Sequence, residues 1–135
     1  MSVMLKVCDE TTSGEKGPEF TIDFLTETIS VRDLIRTRVY QEVSDYNSRR
    51  QRGRSEVYRG LVQPREAEKV LGGYQLPRER VLDWNEQCDA ACDAFSSGKI
   101  LVLVDDRQAE ALEETITVRA DTRVSFLKLV PLVGG

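Results

Sequence analysis

The residues best placed to do chemistry are the last two, Gly134 and Gly135. Neither carries a Cβ, so the pair can thread a channel too narrow for any other dipeptide and adopt backbone angles closed to other residues. The Gly135 carboxylate is unhindered: an activating enzyme can adenylate it, and a thiol or amine can then attack the acyl carbon. The other reactive candidates are weaker. The chain has no histidine, which removes the commonest general base and zinc ligand. Cys88 and Cys92 stand four apart on one face of a predicted helix, but zinc takes four ligands and the only other cysteine is Cys8. All three cysteines read as small buried hydrophobes. The adjacent carboxylates Asp105 and Asp106 read as a turn, with nothing basic placed to tune them as an acid–base pair.

The elements that must position the diglycine are legible from periodicity. Val3–Asp9 is a short β-type run, and Glu19–Leu25 alternates Phe20, Ile22 and Phe24 against Thr21 and Asp23, so the two form a hairpin across a Thr11–Pro18 loop. Ser30 and Asp33 are spaced as a capping box, and Leu34, Ile35, Val39, Val43 and Tyr46 come after them at helical spacing, predicting a helix over 31–48. Pro64 opens a short predicted helix through Leu71, with Gly72-Gly73 as its terminator. Glu79–Ser96 reads as a second helix with the stripe Val81, Trp84, Cys88, Ala91, Cys92 and Phe95, in which Trp84 and Phe95 are the expected anchors. Lys99–Val104 is a continuous apolar run, read as a buried strand; Thr115–Val118 is a short β-branched piece; Arg123–Val130 is the last strand. Pro131 has no N–H to give a ladder, so either the sheet ends there or the strand lies at an edge.

One hundred and thirty-five residues with a net charge of -4 suit one domain with a real core and do not suit a general nucleic-acid binder. The charge is uneven: eight arginines fall within residues 30–60 against four acids. For the Arg49–Arg54 cluster two readings stand, a solvated helix end and a contact for an acidic enzyme surface or phosphate; the first weighs more. No apolar run reaches transmembrane length and the first residues lack a signal-peptide layout, so the expected location is the cytoplasm, with no membrane partner.

The segment Lys99–Gly135 carries a family likeness. An apolar strand, a polar hairpin, an Asp-containing turn, an alternating last strand and the terminal pair Gly134-Gly135 resemble the second half of the ubiquitin and sulfur-carrier superfamily. Residues 3–48 fit the remaining hairpin and helix. The resemblance implies an α+β, β-grasp fold: a mixed sheet crossed by one helix, forming a single domain over 1–135 with its core at 3–50 and 98–130. Residues 51–97 would be a helical insertion between the helix and the third strand, and 131–135 a flexible tail. It implies a protein that is itself no enzyme and holds no cofactor, ATP being used by a partner adenylating enzyme at Gly135 and Gly134. A conjugating enzyme, a deconjugating protease and a protein target complete the expected set. Leu127, Leu129, Leu132 and Val133, with Arg49 and Arg50, are the expected partner contacts. Pro131 and Val133 stand where ubiquitin carries arginines, which points to a dedicated bacterial enzyme set of the kind found in some antiphage systems. Two alternatives stay open: a sulfur carrier in which Gly135 becomes a thiocarboxylate, which the run Val130-Pro131-Leu132-Val133-Gly134-Gly135 also resembles, and a non-covalent adaptor.

Overall fold

The computed structural model describes residues 2–51, 57–77 and 81–129, with backbone alone at 50 and 51. It is a mixed α+β structure in which nine strands and two helices are described. The chain divides into two compact units, one built from residues up to Leu34 and from Ala94 onward, the other from Ile35 to Asp93. Among the described residues no helix is long and apolar enough to cross a membrane.

The first unit is organised by strands β1 (Val3–Thr11), β2 (Phe20–Phe24), β6 (Ile100–Val104), β7 (Arg107–Gln108) and β9 (Arg123–Lys128). They form one five-stranded sheet in the order β2-β1-β9-β6-β7. The β1–β2 hairpin is antiparallel, with Leu5 opposite Ile22. The last strand lies between the first, which it meets in parallel, and β6, which it meets antiparallel. One face of the sheet is apolar by alternation: Leu5, Val7, Ile22, Phe24, Val102, Val124 and Phe126 are all buried. A second, short ladder joins β3 (Thr28–Ser30) to β8 (Thr115–Thr117). The sequence pattern predicts β8 from its β-branched run but misses β3, where Ser30 reads only as the cap of the helix after it.

Helix α1 (Val31–Gln51) begins on the predicted capping box. The Asp33 amide donates to Ser30 Oγ at 3.0 Å, and the Ser30 amide donates to Asp33 Oδ2 at 3.4 Å. The loop before β8 supplies further acceptors for the helix's orphan amides: Val31 donates to the Glu114 carbonyl and Arg32 to that of Leu112, both at 2.9 Å. The β6–β7 turn is the pair Asp105-Asp106, with φ of 48° and 69°. Two left-handed residues match the twist of a tight hairpin, and Asp tolerates that region better than most residues.

The second unit departs furthest from expectation. Pro64–Leu71 is not a helix. It holds a turn, in which the Ala67 amide donates to the Pro64 carbonyl at 3.2 Å, and then β4 (Glu68–Val70), which pairs with β5 (Gly73–Gln75). Glu66 sits at φ 67° and Gly72 at φ 84°, both incompatible with a continuing helix. Gly73 is no helix stop either: a Cβ there would lie 2.4 Å from the Tyr58 carbonyl oxygen. Tyr58 and Tyr74 exchange both backbone hydrogen bonds at 2.9 Å across this contact, so tertiary pairing overrides the local helix signal.

Helix α2 (Trp84–Ser96) starts later than its apolar stripe suggests, because Asp83 caps it. Asp83 Oδ1 accepts from the Asn85 and Glu86 amides at 2.8 and 3.3 Å. Val81 therefore precedes the helix and is exposed, while Leu82 is buried, its backbone N–H and C=O both bonded at 3.1 Å to the Asn47 side-chain amide. Cys88, Ala91, Cys92 and Phe95 are buried as the stripe predicts. Trp84 is only half-buried; its ring meets Tyr40 edge-on at 5.4 Å, with the Arg36 guanidinium 5.3 Å from its centroid. On α1 itself Arg38 is buried, and its Nε donates to Glu42 Oε1 at 3.1 Å.

Candidate functional site

The functional candidate is the end of β9 together with the six residues beyond Leu129. β9 is bonded on both sides along its length: Val124 lies opposite Val7 and Val104, and Phe126 opposite Val102. Phe126 and Val124 face the buried side with 0% and 1% exposure. Past the last paired residue the backbone is still held, since the Leu129 amide donates to the Lys99 carbonyl at 3.2 Å and the Thr12 amide donates to that of Lys128 at 3.2 Å. The strand stops at Lys128, two residues short of the predicted Val130. Leu132, Val133, Gly134 and Gly135 lie outside the described residues.

The other face of the sheet carries half-buried Leu127 beside Leu101, its register partner on β6, with Leu103 next along that strand. Leu129 is 44% exposed. The apolar run Lys99–Val104 is thus not buried on both sides: Ile100, Val102 and Val104 are buried while Leu101 and Leu103 are not. The four leucines form an apolar strip on the side of the sheet away from Phe126, and two of them, Leu127 and Leu129, stand close in sequence to the diglycine. Leu127 and Leu129 are legible from alternation; Leu101 and Leu103 are not, because a continuous apolar run gives no sign of which side is open.

Arg49 is exposed near the end of α1, in the second unit, and Arg50 has no described side chain. At the opposite end of β9 a cleft of about 420 Å³ opens, lined by Lys6, Cys8, Lys16, Asp106 and Arg123 among others. Its charges are cross-paired, Lys16 Nζ with Glu10 at 3.3 Å and Arg123 Nη1 with Glu19 at 3.6 Å, so it presents no single-sign cradle for a charged ligand. Exposed pairs of this kind contribute about 0–1 kcal/mol each. Asp105 is structural as well as a turn residue, accepting the Arg123 amide at 2.9 Å on Oδ1 and holding the start of β9.

The cysteines divide by environment. Cys88 and Cys92 are buried, and burial, the largest cause, pushes the Cys88 thiol up to about 11. Cys8 corrects the expectation of a third buried thiol: it is half-exposed, on the same face as Leu127, and its Sγ donates to the Gly17 carbonyl at 3.3 Å. Among the described residues no three metal-ligating side chains cluster. Alkylation with iodoacetamide at neutral pH, read out by peptide mass mapping, is expected to label Cys8 at least about tenfold faster than Cys88 or Cys92, because thiolate availability and access govern the reaction. The Cys88 thiol binds its proton more tightly folded than unfolded. Its contribution to stability is therefore full below its unfolded pKa and declines as pH rises from about 9 to about 11. Urea midpoints measured across that range are expected to fall, and less so for Cys88→Ala.

Comparison of the chain with protein-family models, with curated proteins and with solved structures finds no match. The functional reading therefore stands on the residues and the geometry.

Proposed function

We propose that the chain is a β-grasp, ubiquitin-like modifier, activated through the carboxyl group of Gly135 and joined by it to a target. A dedicated enzyme adenylates the carboxylate with ATP, releasing pyrophosphate; a thiol, amine or hydroxyl then attacks the acyl carbon and AMP leaves. The catalytic groups and the stabilisation of the acyl intermediate belong to that enzyme. One observation carries the reading: β9, bonded on both edges as far as Lys128 and on the β6 side by the Leu129 amide, is followed in sequence by six residues that close on two glycines. The return of the last strand to lie parallel to the first, between the hairpin and β6, supports the β-grasp plan. The leucine strip of Leu101, Leu103, Leu127 and Leu129 supports an enzyme-docking surface at the end of β9.

The test is intact-mass and peptide analysis of the protein isolated from its native host. Adducts in which Gly135 is linked to another polypeptide are the expected result. A gain of about 16 Da on the Gly135 carboxyl, oxygen replaced by sulfur, would instead make it a sulfur carrier, the reading that the Val130–Gly135 run also fits. An unmodified carboxyl under conditions where the protein acts would overturn both and leave the adaptor.

A further inference from the structure

The five-stranded sheet treats its two edges differently. At one side β7 is a two-residue strand opening with Arg107, a short and charged edge of the kind that resists pairing. At the other, β2 runs for five residues, Phe-Thr-Ile-Asp-Phe, with no proline, glycine, lysine or arginine. Among the described residues no strand lies on its outer side. Thr21 and Asp23 are exposed on one face, and Leu25, just past the strand, is 87% exposed.

We propose that β2 is where two copies of this chain join, edge to edge and antiparallel, about a two-fold axis through Ile22. The register is fixed by elimination. Opposed residues in an antiparallel pair share a face, so the two numbers in each pair must sum to an even value. A centre at Thr21 sets Glu19 against Asp23 of the second copy, and a centre at Asp23 sets that carboxylate against itself; both oppose like charges in neighbouring positions, which is destabilising. Centres at Phe20 or Phe24 overlap less than the whole strand, and the first brings in Pro18. A centre at Ile22 uses all five residues, sets Phe20 against Phe24 of the second copy, and places each Thr21 hydroxyl opposite an Asp23 carboxylate. That hydroxyl can donate to the carboxylate, twice over by symmetry. The strand reads nearly the same in both directions, and that makes a second copy, rather than an unrelated peptide, the fitting occupant. Pairing extends the sheet to β7-β6-β9-β1-β2 continued by the same order reversed, and main-chain hydrogen bonds supply the affinity as in other strand additions. β2 is two positions from β9 in the sheet order, and the inference does not depend on the function proposed for Gly134 and Gly135.

Sedimentation of the full chain from about 1 µM to about 1 mM tests it. The expected result is a reversible species of twice the chain mass, with the amides of 20–25 gaining protection from hydrogen exchange as concentration rises. Charge at position 21 then reads the register. Thr21→Asp faces Asp23 of the second copy and is expected to weaken the dimer about tenfold; Thr21→Lys faces the same carboxylate and is expected to tighten it; Thr21→Asp with Asp23→Lys restores it. Within one chain Thr21 lies opposite Lys6 on β1 and between Glu19 and Asp23 on the same exposed face, so each substitution acts on the monomer too. Urea unfolding of each variant at about 1 µM, where the chain is monomeric, separates that effect from the dimer equilibrium. A chain monomeric at about 1 mM, or a dimer that Thr21→Asp and Thr21→Lys shift the same way, overturns the proposal. So does protection at 20–25 that arises only when a peptide from another protein is added.

Discussion

Phe126→Ala is expected to lower the unfolding free energy by about 3–5 kcal/mol, the range for removing a buried aromatic ring and leaving a cavity. Phe126 has no exposed surface and sits in the middle of β9, the strand that both β1 and β6 depend on for pairing. Loss of its ring removes contacts beside Val102 and Val124, each itself almost wholly buried. A backbone hydrogen-bonded on both edges cannot shift to fill the space without breaking one ladder or the other. Against a typical total of about 5–15 kcal/mol, that loss is enough to leave a fraction of the chain unfolded at physiological temperature. The neighbouring Leu127→Ala is the control: half-buried on the other face, it is expected to cost about 1 kcal/mol. Urea unfolding monitored by circular dichroism separates the two. A loss below about 1 kcal/mol for Phe126→Ala would mean that β9 is not central to the sheet, and would remove the scaffold on which the tail's role depends.

Where the sequence is informative, a single local cause dominates. Strict alternation at Phe20, Ile22 and Phe24 locates β2 to within a residue at each end, and the Ser30–Asp33 pair locates the start of α1, because a cap is a hydrogen-bond pattern of fixed spacing. The end of β9 is less legible. Pro131 marks where a ladder must stop, but pairing is already over at Lys128, since β6 begins at Ile100, the residue opposite it. Between Gln51 and Trp84 local signals mislead. Pro64 is a good first residue for a helix and Gly72-Gly73 a good terminator, yet the contact that decides the segment is Tyr58 with Tyr74, sixteen residues apart. Cys8 reads as a core residue only while its strand is taken as apolar throughout, whereas Leu5 and Val7 fix the buried parity and leave residue 8 on the other side. The diglycine is legible as chemistry from composition alone; the leucines of β6 and β9 become a surface only through the register of Leu101 with Leu127.

Deletion of Gly134 and Gly135 is expected to abolish every adduct linked through the chain's carboxyl while changing the unfolding free energy by less than about 0.5 kcal/mol, the range for changes away from packed or hydrogen-bonded features. The described core closes at Leu129, whose amide bonds to the Lys99 carbonyl, and the last buried residue among those described is Phe126, eight positions before Gly134. The functional effect is large because it is geometric. A chain ending at Val133 offers a carboxyl flanked by a β-branched side chain, which is restricted in rotamer and blocks approach along the path a glycine leaves clear. Gly134→Val keeps the length and the terminal carboxyl and is expected to lose activation by at least about a hundredfold, about 2.7 kcal/mol in transition-state terms. Leu127→Ala and Leu129→Ala keep the diglycine intact and are expected to slow activation about tenfold by weakening docking on the strip, an effect on KM more than on kcat. Measuring adenylate formation by ATP–pyrophosphate exchange with the native enzyme set, alongside urea unfolding, assigns each loss to chemistry or to fold. If the truncated chain performs its cellular role at full strength, the carboxyl is not the reactive group, and the surface of the sheet, acting without covalent linkage, is what the protein uses.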